Sequence, residues 1–405
     1  MLYQAYEAQA NLLDLLRPFA ATAGALLRLP RASAHHTWPF HKLAGNLETF
    51  AGLNITYVRQ PFRIDAVSVS GRSVRVSEEA TYATPFCTLL RFKKEIEVQQ
   101  PRVLVVAPLS GHFATLLRST VQALLPDHDV YITDWHNVRD IPLAKGPFDL
   151  SAYVDHVIEF LQVLGPGSHV LAVCQPCVPV LAAVALMAED GDEAQPRSMT
   201  LMAGPIDTRL NPTKVNDLAT QNPISWFEQM LTSKVPLCYK GARRRVYPGF
   251  MQLTAFVSMN LERHLRSFKD MAKALAEEDQ SKYQVLQTFY EEYFAVMDLP
   301  AEFYLETVQQ VFQDFALARG QFKVNGRLVN PKAIRRTALF TVEGERDDIC
   351  GLGQTLAAQD LCSGLRQYMK SHHVQTGVGH YGVFSGKRWA NETYPKVRDI
   401  IQMTN

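Results

Sequence analysis

His169-Val-Leu-Ala-Val-Cys174-Gln-Pro-Cys177-Val-Pro-Val-Leu-Ala-Ala-Val-Ala-Leu-Met187 reads as a strand, a sharp turn and a helix, and this stretch decides the fold. Such a turn lifts one side chain above a sheet, beside the N-terminus of the helix that follows. There the helix dipole favours a thiolate, and the backbone N–H after the lifted residue can hold an oxyanion. Turns of this kind follow a small-x-nucleophile-x-small pattern. The register read here puts Cys177 at the tip, with Cys174 as the last strand residue and Val178 supplying the N–H. Pro179 then falls in the first helical turn, where a missing N–H costs nothing. Gln175 and Pro179 stand where glycine is usual, so close packing around the turn has to be solved another way.

On either side, short apolar runs alternate with helical segments. Val103 to Val106, Asp129 to Thr133, His169 to Cys174 and Met199 to Ala203 read as buried strands, with helices over Leu116 to Leu124, Leu150 to Leu164 and Val180 to Met187 between them. Buried strands alternating with helices specify a parallel sheet covered on both faces. Upstream, Val67 and Val69, the Ser70-Gly71 turn, Val74 and Val76 predict a hairpin, and Thr88 to Glu97 a further strand. Between about 208 and 333 the strand signal vanishes into a helical stretch rich in Tyr and Phe; strands resume at Thr337 to Val342 and near Val374 to Thr376. The expected class is therefore an α/β-hydrolase fold: a mostly parallel sheet from 101–207 and 334–405, a helical cap over 208–333, and an N-terminal helix plus strands in 1–100 that join the sheet. The cap would lie over the carboxyl ends of the strands, where open sheets bind ligands.

With 405 residues there is enough chain for a large core and more than one lobe. The 41 basic and 40 acidic side chains nearly cancel, which argues against a nucleic-acid partner or an electrostatic hold on anionic lipid. No run approaches the ~20 apolar residues of a membrane span, and the N-terminus does not read as a signal peptide. The six scattered cysteines are expected as reduced thiols of a cytoplasmic protein. The helical segment Tyr3 to Leu27 is amphipathic; it either packs on its own domain or docks on an apolar surface, and Pro18 should kink it.

A nucleophile needs a base, and the base an orienting acid, in the chain order nucleophile, acid, histidine. Thr337-Ala-Leu-Phe-Thr-Val-Glu-Gly-Glu-Arg-Asp347-Asp-Ile-Cys-Gly351 puts Asp347 in a loop past a strand, with Asp348 as its neighbour. Gly379-His380-Tyr-Gly382 puts His380 in a glycine-flanked loop before the closing helix, and the other eleven histidines fit that order less well. Asp134 and Asp207 also end strands and read as loop or capping residues. A second oxyanion donor is expected from the loop after the first core strand, at Leu109 or Ser110. This constellation needs no metal and no cofactor. Cys174-Gln-Pro-Cys177 is also a C-x-x-C motif, as thiol–disulfide oxidoreductases use. Against that reading stand a sheet larger than such a domain needs, a Cys174 expected to be buried at the strand's end, and an Asp347 and His380 left without a role. A zinc site would need a second cysteine pair, and a non-catalytic coat protein would waste the matched residues.

Val-Cys174-Gln-Pro-Cys177-Val-Pro179, Met202-Ala-Gly-Pro-Ile-Asp-Thr-Arg-Leu-Asn-Pro-Thr-Lys-Val-Asn216, Gly249-Phe-Met-Gln-Leu253 and Gly379-His-Tyr-Gly-Val-Phe-Ser-Gly-Lys-Arg-Trp389 together resemble the intracellular polyhydroxyalkanoate depolymerases of the poly(3-hydroxybutyrate) type, over almost the whole chain. The resemblance implies a cytoplasmic enzyme on polyester granules that hydrolyses amorphous poly(3-hydroxybutyrate) through a cysteine triad. Its elements fall on Cys177, Asp347 and His380. The related polyhydroxyalkanoate synthases keep a glycine after their cysteine, where this chain has Val178-Pro179, so synthesis is the runner-up within acyl transfer. Monomer length, transfer to coenzyme A rather than water, and a homo-oligomeric state stay open.

Overall fold

Aliphatic and β-branched runs too short for helices become the central strands of a nine-stranded sheet. In the computed structural model, the described residues are 55–405 except 260 and 278, together with 3, 6, 7, 17–23, 43, 44 and 47. Of the segment Tyr3 to Leu27, residues 3, 6, 7 and 17–23 are helical; the remainder lies outside the described residues.

The strands are β1 (Ala66–Val69), β2 (Arg72–Ala83), β3 (Cys87–Lys94), β4 (Arg102–Val106), β5 (Asp129–Trp135), β6 (His169–Val173) and β7 (Ser198–Met202), then β8 (Ser233–Lys234), β9 (Arg245–Tyr247), β10 (Leu299–Pro300), β11 (Lys323–Val324), β12 (Arg327–Leu328), β13 (Ala338–Gly344) and β14 (Lys370–Gln375). The large sheet runs β1-β2-β3-β5-β4-β6-β7-β13-β14. From β5 to β14 every neighbour is parallel, while β3 is antiparallel to both β2 and β5. That order, with β1 and β3 running against the other strands at one edge, is the α/β-hydrolase arrangement. The β1–β2 hairpin turns on Ser70 and Gly71, both at positive φ (49° and 77°), as the right-handed twist of the flanking strands requires.

The chain leaves β4 toward β5 on one side and returns to β6 on the other. The carboxyl ends of β4 and β6 thus flank the point where winding reverses, which opens a crevice for a ligand. Every residue of β6 is buried. Its following helix, Cys177–Asp190, is buried from Cys177 through Met187, so it is apolar all round, as a helix inside a large core must be. Gly191 at φ +66° ends it with a left-handed cap.

The stretch 208–333 is mainly helical, with Lys214–Gln221, Ile224–Leu231, Gly249–Met259, Leu261–Ala276, Gln280–Tyr293 and Ala301–Glu306. It also contains the three-stranded sheet β10-β9-β8 and the β11–β12 hairpin, which corrects the expectation of a strandless cap. These strands are two or three residues long, too short for alternation to show in sequence. This stretch is tied down beside the loop after β4. Met297 N–H donates to Gly111 O at 2.9 Å, His112 and Val296 form an antiparallel bridge, and buried Asp298 accepts from Tyr3 Oη at 2.6 Å and from Gly249 N–H at 2.9 Å.

Candidate active site

β6 ends at Val173, and the next residue, Cys174, takes φ +67°. A non-glycine residue in that region costs about 1–2 kcal/mol, so its neighbours must hold it there. They do so with two bonds: Cys174 N–H donates to Met202 O at 2.7 Å, and Cys174 O accepts from Cys177 N–H at 3.1 Å. Pro176, at φ −66°, then enters the helix as its N-cap. The strained tip of the elbow is therefore Cys174.

This corrects the register read from sequence. Cys177 is the first residue of the helix and fully buried, and its Sγ lies 3.5 Å from Ala172 O and 3.6 Å from Met202 O. Burial, with Cys174 beside it, pushes the Cys177 thiol well above its ordinary pKa, and a thiol held protonated is a poor nucleophile. Gly204 packs directly on it: a Cβ there would meet Cys177 Cβ at 2.2 Å and Sγ at 2.3 Å. Val178, buried behind Cys177, is four residues past the tip and is not the residue that follows it.

Asp347 and His380 do meet. His380 Nδ1 donates to Asp347 Oδ2 at 2.8 Å, with the side chains 5% and 0% exposed. The other carboxylate oxygen, Oδ1, accepts from Ile349 N–H at 2.9 Å and Cys350 N–H at 2.8 Å. Three hydrogen bonds thus fix the acid's rotamer and the imidazole's tautomer. With Nδ1 committed to Asp347, the second ring nitrogen is left for another partner, and Cys174 is near enough to act on the imidazole. Burial works against a charged imidazole, but the Asp347 carboxylate, Cys174 and the bonds to both outweigh it, so the His380 pKa lies well above its ordinary value. Such a histidine can hold a proton taken from a thiol.

The remaining candidates point elsewhere. Asp348 is exposed. Asp134 pairs with Arg59 at 2.7 Å, and Asp207 with Arg209 at 2.7 Å. His372 bonds Thr341 Oγ1 at 2.9 Å on β14, a strand that begins four residues earlier than expected.

Of the two second-donor candidates, Leu109 turns its N–H toward the elbow, where it donates to Gln175 Oε1 at 3.3 Å. Ser110 is partly exposed in the same loop. The Gln175 Nε2 is buried without a hydrogen-bond partner, a state that costs about 1–3 kcal/mol. In sequence that side chain showed only as a departure from the glycine usual there, with nothing to indicate its partner.

Glu343 also went unread. At the end of β13 and 2% exposed, its carboxylate accepts from the N–H groups of Gly353 (2.9 Å), Thr355 (2.8 Å) and Leu356 (3.0 Å). Thr355 Oγ1 in turn bonds Gly204 N and O at 2.8 and 2.9 Å. The loop carrying Asp347 is thereby anchored to the strand end that packs under the elbow. Among the described residues no cluster of His, Cys, Asp and Glu is arranged to hold a metal ion, and no helix is long and apolar enough to cross a membrane. Of the C-x-x-C pair, Cys177 turns its sulfur to main-chain carbonyls, while Cys174 helps raise the His380 pKa. Cys174 is the more exposed of the two, against expectation.

Comparison with known proteins gives one match to a family, "PHB de-polymerase C-terminus", over residues 203–405, half of the chain. The matched region holds Asp347 and His380 and begins after the elbow. No curated protein matches. Similar solved structures include a putative lipase from Acinetobacter baumannii AYE (11% identity, TM-score 0.46, 82% of this chain and 93% of that one). Two others are 2-hydroxy-6-oxo-6-phenylhexa-2,4-dienoate hydrolase from Rhodococcus sp. strain RHA1 (13%, 0.43, 81% and 99%) and a thermophilic esterase from Thermogutta terrifontis (11%, 0.42, 82% and 99%).

Proposed function

Because the chain belongs to the PHB depolymerase family, and is thus a hydrolase, we propose that it cleaves the ester bonds of amorphous poly(3-hydroxybutyrate) through an acyl-enzyme on Cys174. The observation that carries this reading is the placement of Cys174 at φ +67° against an imidazole bonded to Asp347 at 2.8 Å. His380 takes the thiol proton, and the thiolate attacks the ester carbonyl. The backbone N–H of Gln175, which follows the nucleophile, and that of Leu109 receive the oxyanion. As the tetrahedral centre collapses, the C–O bond breaks and the alcohol end of the polymer leaves with the proton from His380. Water, deprotonated by the same histidine, then attacks the thioester, releasing a 3-hydroxybutyrate carboxylate and restoring the thiol. Asp347 keeps the ring in place throughout and never accepts the proton.

Association with cytoplasmic polyester granules belongs to the same proposal. It is supported by large apolar side chains exposed on the cap: Leu218, Met230, Leu237, Leu261, Leu265 and Val285. A neutral polyester offers no charge to grip, so apolar area is what would hold it. Mass spectrometry of enzyme quenched with a hydroxybutyrate ester tests the chemistry. An acyl group on the peptide carrying Cys174 is expected, lost in Cys174→Ala and kept in Cys177→Ala. Acylation that survives Cys174→Ala overturns it.

A further inference from the structure

We propose that the Gln175 side chain is the resting occupant of the oxyanion hole, and that it selects polyester over small esters by having to be displaced. The inference rests on Cys174 as nucleophile and goes beyond it. The Leu109 N–H, placed to receive the carbonyl oxygen, instead donates to Gln175 Oε1. An amide oxygen there imitates the oxygen of a bound ester, so the hole is satisfied while no substrate is present.

This occupancy is weak by construction. The bond is long, at 3.3 Å, near the limit for an N–H···O bond. The other end of the same amide, Nε2, is buried without a partner. Nothing locks the side chain in place, and swinging it toward the substrate cleft would free the Leu109 N–H and hydrate or pair Nε2. A ligand shifts such an equilibrium only by its differential affinity for the open state. A polymer strand, held along its length by the cap, brings binding energy remote from the reacting carbonyl and can spend it on displacement. A short soluble ester has only its own carbonyl with which to compete.

The test uses the full chain with two substrates, p-nitrophenyl butyrate and amorphous poly(3-hydroxybutyrate), and three variants. Gln175→Ala and the size-matched Gln175→Met both remove the competing oxygen. Each should raise the ratio of small-ester to polymer kcat/KM by about five- to tenfold, with small-ester kcat/KM itself rising. Gln175→Glu keeps the shape but places a charged acceptor on the Leu109 N–H, and should lower small-ester kcat/KM at least about tenfold, with recovery on acidification. A residue that merely packs the elbow would lose activity in all three. If Ala and Met lower small-ester turnover, Gln175 assists the reaction and the gate is wrong. Acyl-adduct mapping in the same variants separates the two readings: an adduct on Cys174 with unchanged kinetics sinks the gate alone, whereas an adduct on another residue sinks the nucleophile assignment.

Discussion

Two places three residues apart, the tip of the elbow and the first turn of the helix behind it, carry the same side chain in opposite circumstances. At the tip, Cys174 has a left-handed backbone, partial exposure and an influence on the His380 imidazole. One turn on, Cys177 has a helical backbone, no exposure and two carbonyls for neighbours. The difference lies in backbone conformation: a left-handed residue past the strand's end at one place, a helical residue at the other. Side-chain chemistry alone therefore does not tell the two cysteines apart; the strained position does.

The strongest test of this contrast is Cys174→Ala. It should reduce hydrolysis of amorphous polymer by at least about 10⁴-fold without loss of fold, measured as released hydroxybutyrate alongside circular dichroism. Retention of more than about a hundredth of the wild-type rate would end the assignment.

A smaller loss is expected from Asp347→Asn, about 10²–10⁴-fold in kcat. Its pH profile says more than its size. In the wild type, burial opposes the charged imidazole and the carboxylate overcomes it, which holds His380 above its usual pKa. Without that negative charge burial gains ground, so the His380 pKa falls. If the reactive form is thiolate paired with imidazolium, activity is lost as pH rises through the His380 pKa, and the alkaline limb of kcat/KM should move to lower pH. An unmoved limb would mean that the limb belongs to another group.

The sheet was legible because its strands are short, apolar and regularly separated by helices, a pattern that survives any error of one or two residues. That Asp347 and His380 would meet was legible too, because loop position after a strand is set by chain order. The elbow demanded more. Two cysteines and two prolines in six residues allow the strand to end in more than one place, and the choice turns on a single φ. One clue favoured Cys174: the small residue expected two places before the nucleophile is present there as Ala172, whereas Cys177 has Gln175 in that position. Gln175 and Glu343 could not be read at all, since their partners are backbone N–H groups at Leu109 and in 353–356, remote in sequence from the first and brought near the second only by the fold.

Gly204 sharpens the contrast from the buried side. A methyl group there would collide with Cys177 Cβ and Sγ and come within 3.1 Å of Cys174 O. Gly204→Ala should cost about 1–3 kcal/mol in chemical denaturation through overpacking. Combining it with Cys177→Gly, which removes both colliding atoms, should recover part of that loss relative to the sum of the single changes. Strict additivity would show that Cys177 does not meet the new methyl.

Least disruptive of all should be Cys177→Ala. Its thiol is a weak donor, and removing it strands nothing: Met202 O keeps the 2.7 Å bond from Cys174 N–H, and Ala172 stays inside the parallel ladder between β4 and β7. What is lost is the volume of one sulfur packed against Gly204, worth about 1 kcal/mol of stability. Polymer hydrolysis should stay within about twofold of wild type, because the elbow is held by main-chain bonds that alanine keeps. A thousandfold loss from this one change would erase the distinction between tip and helix, since it would give the buried sulfur a role that its carbonyl neighbours and its raised pKa deny it.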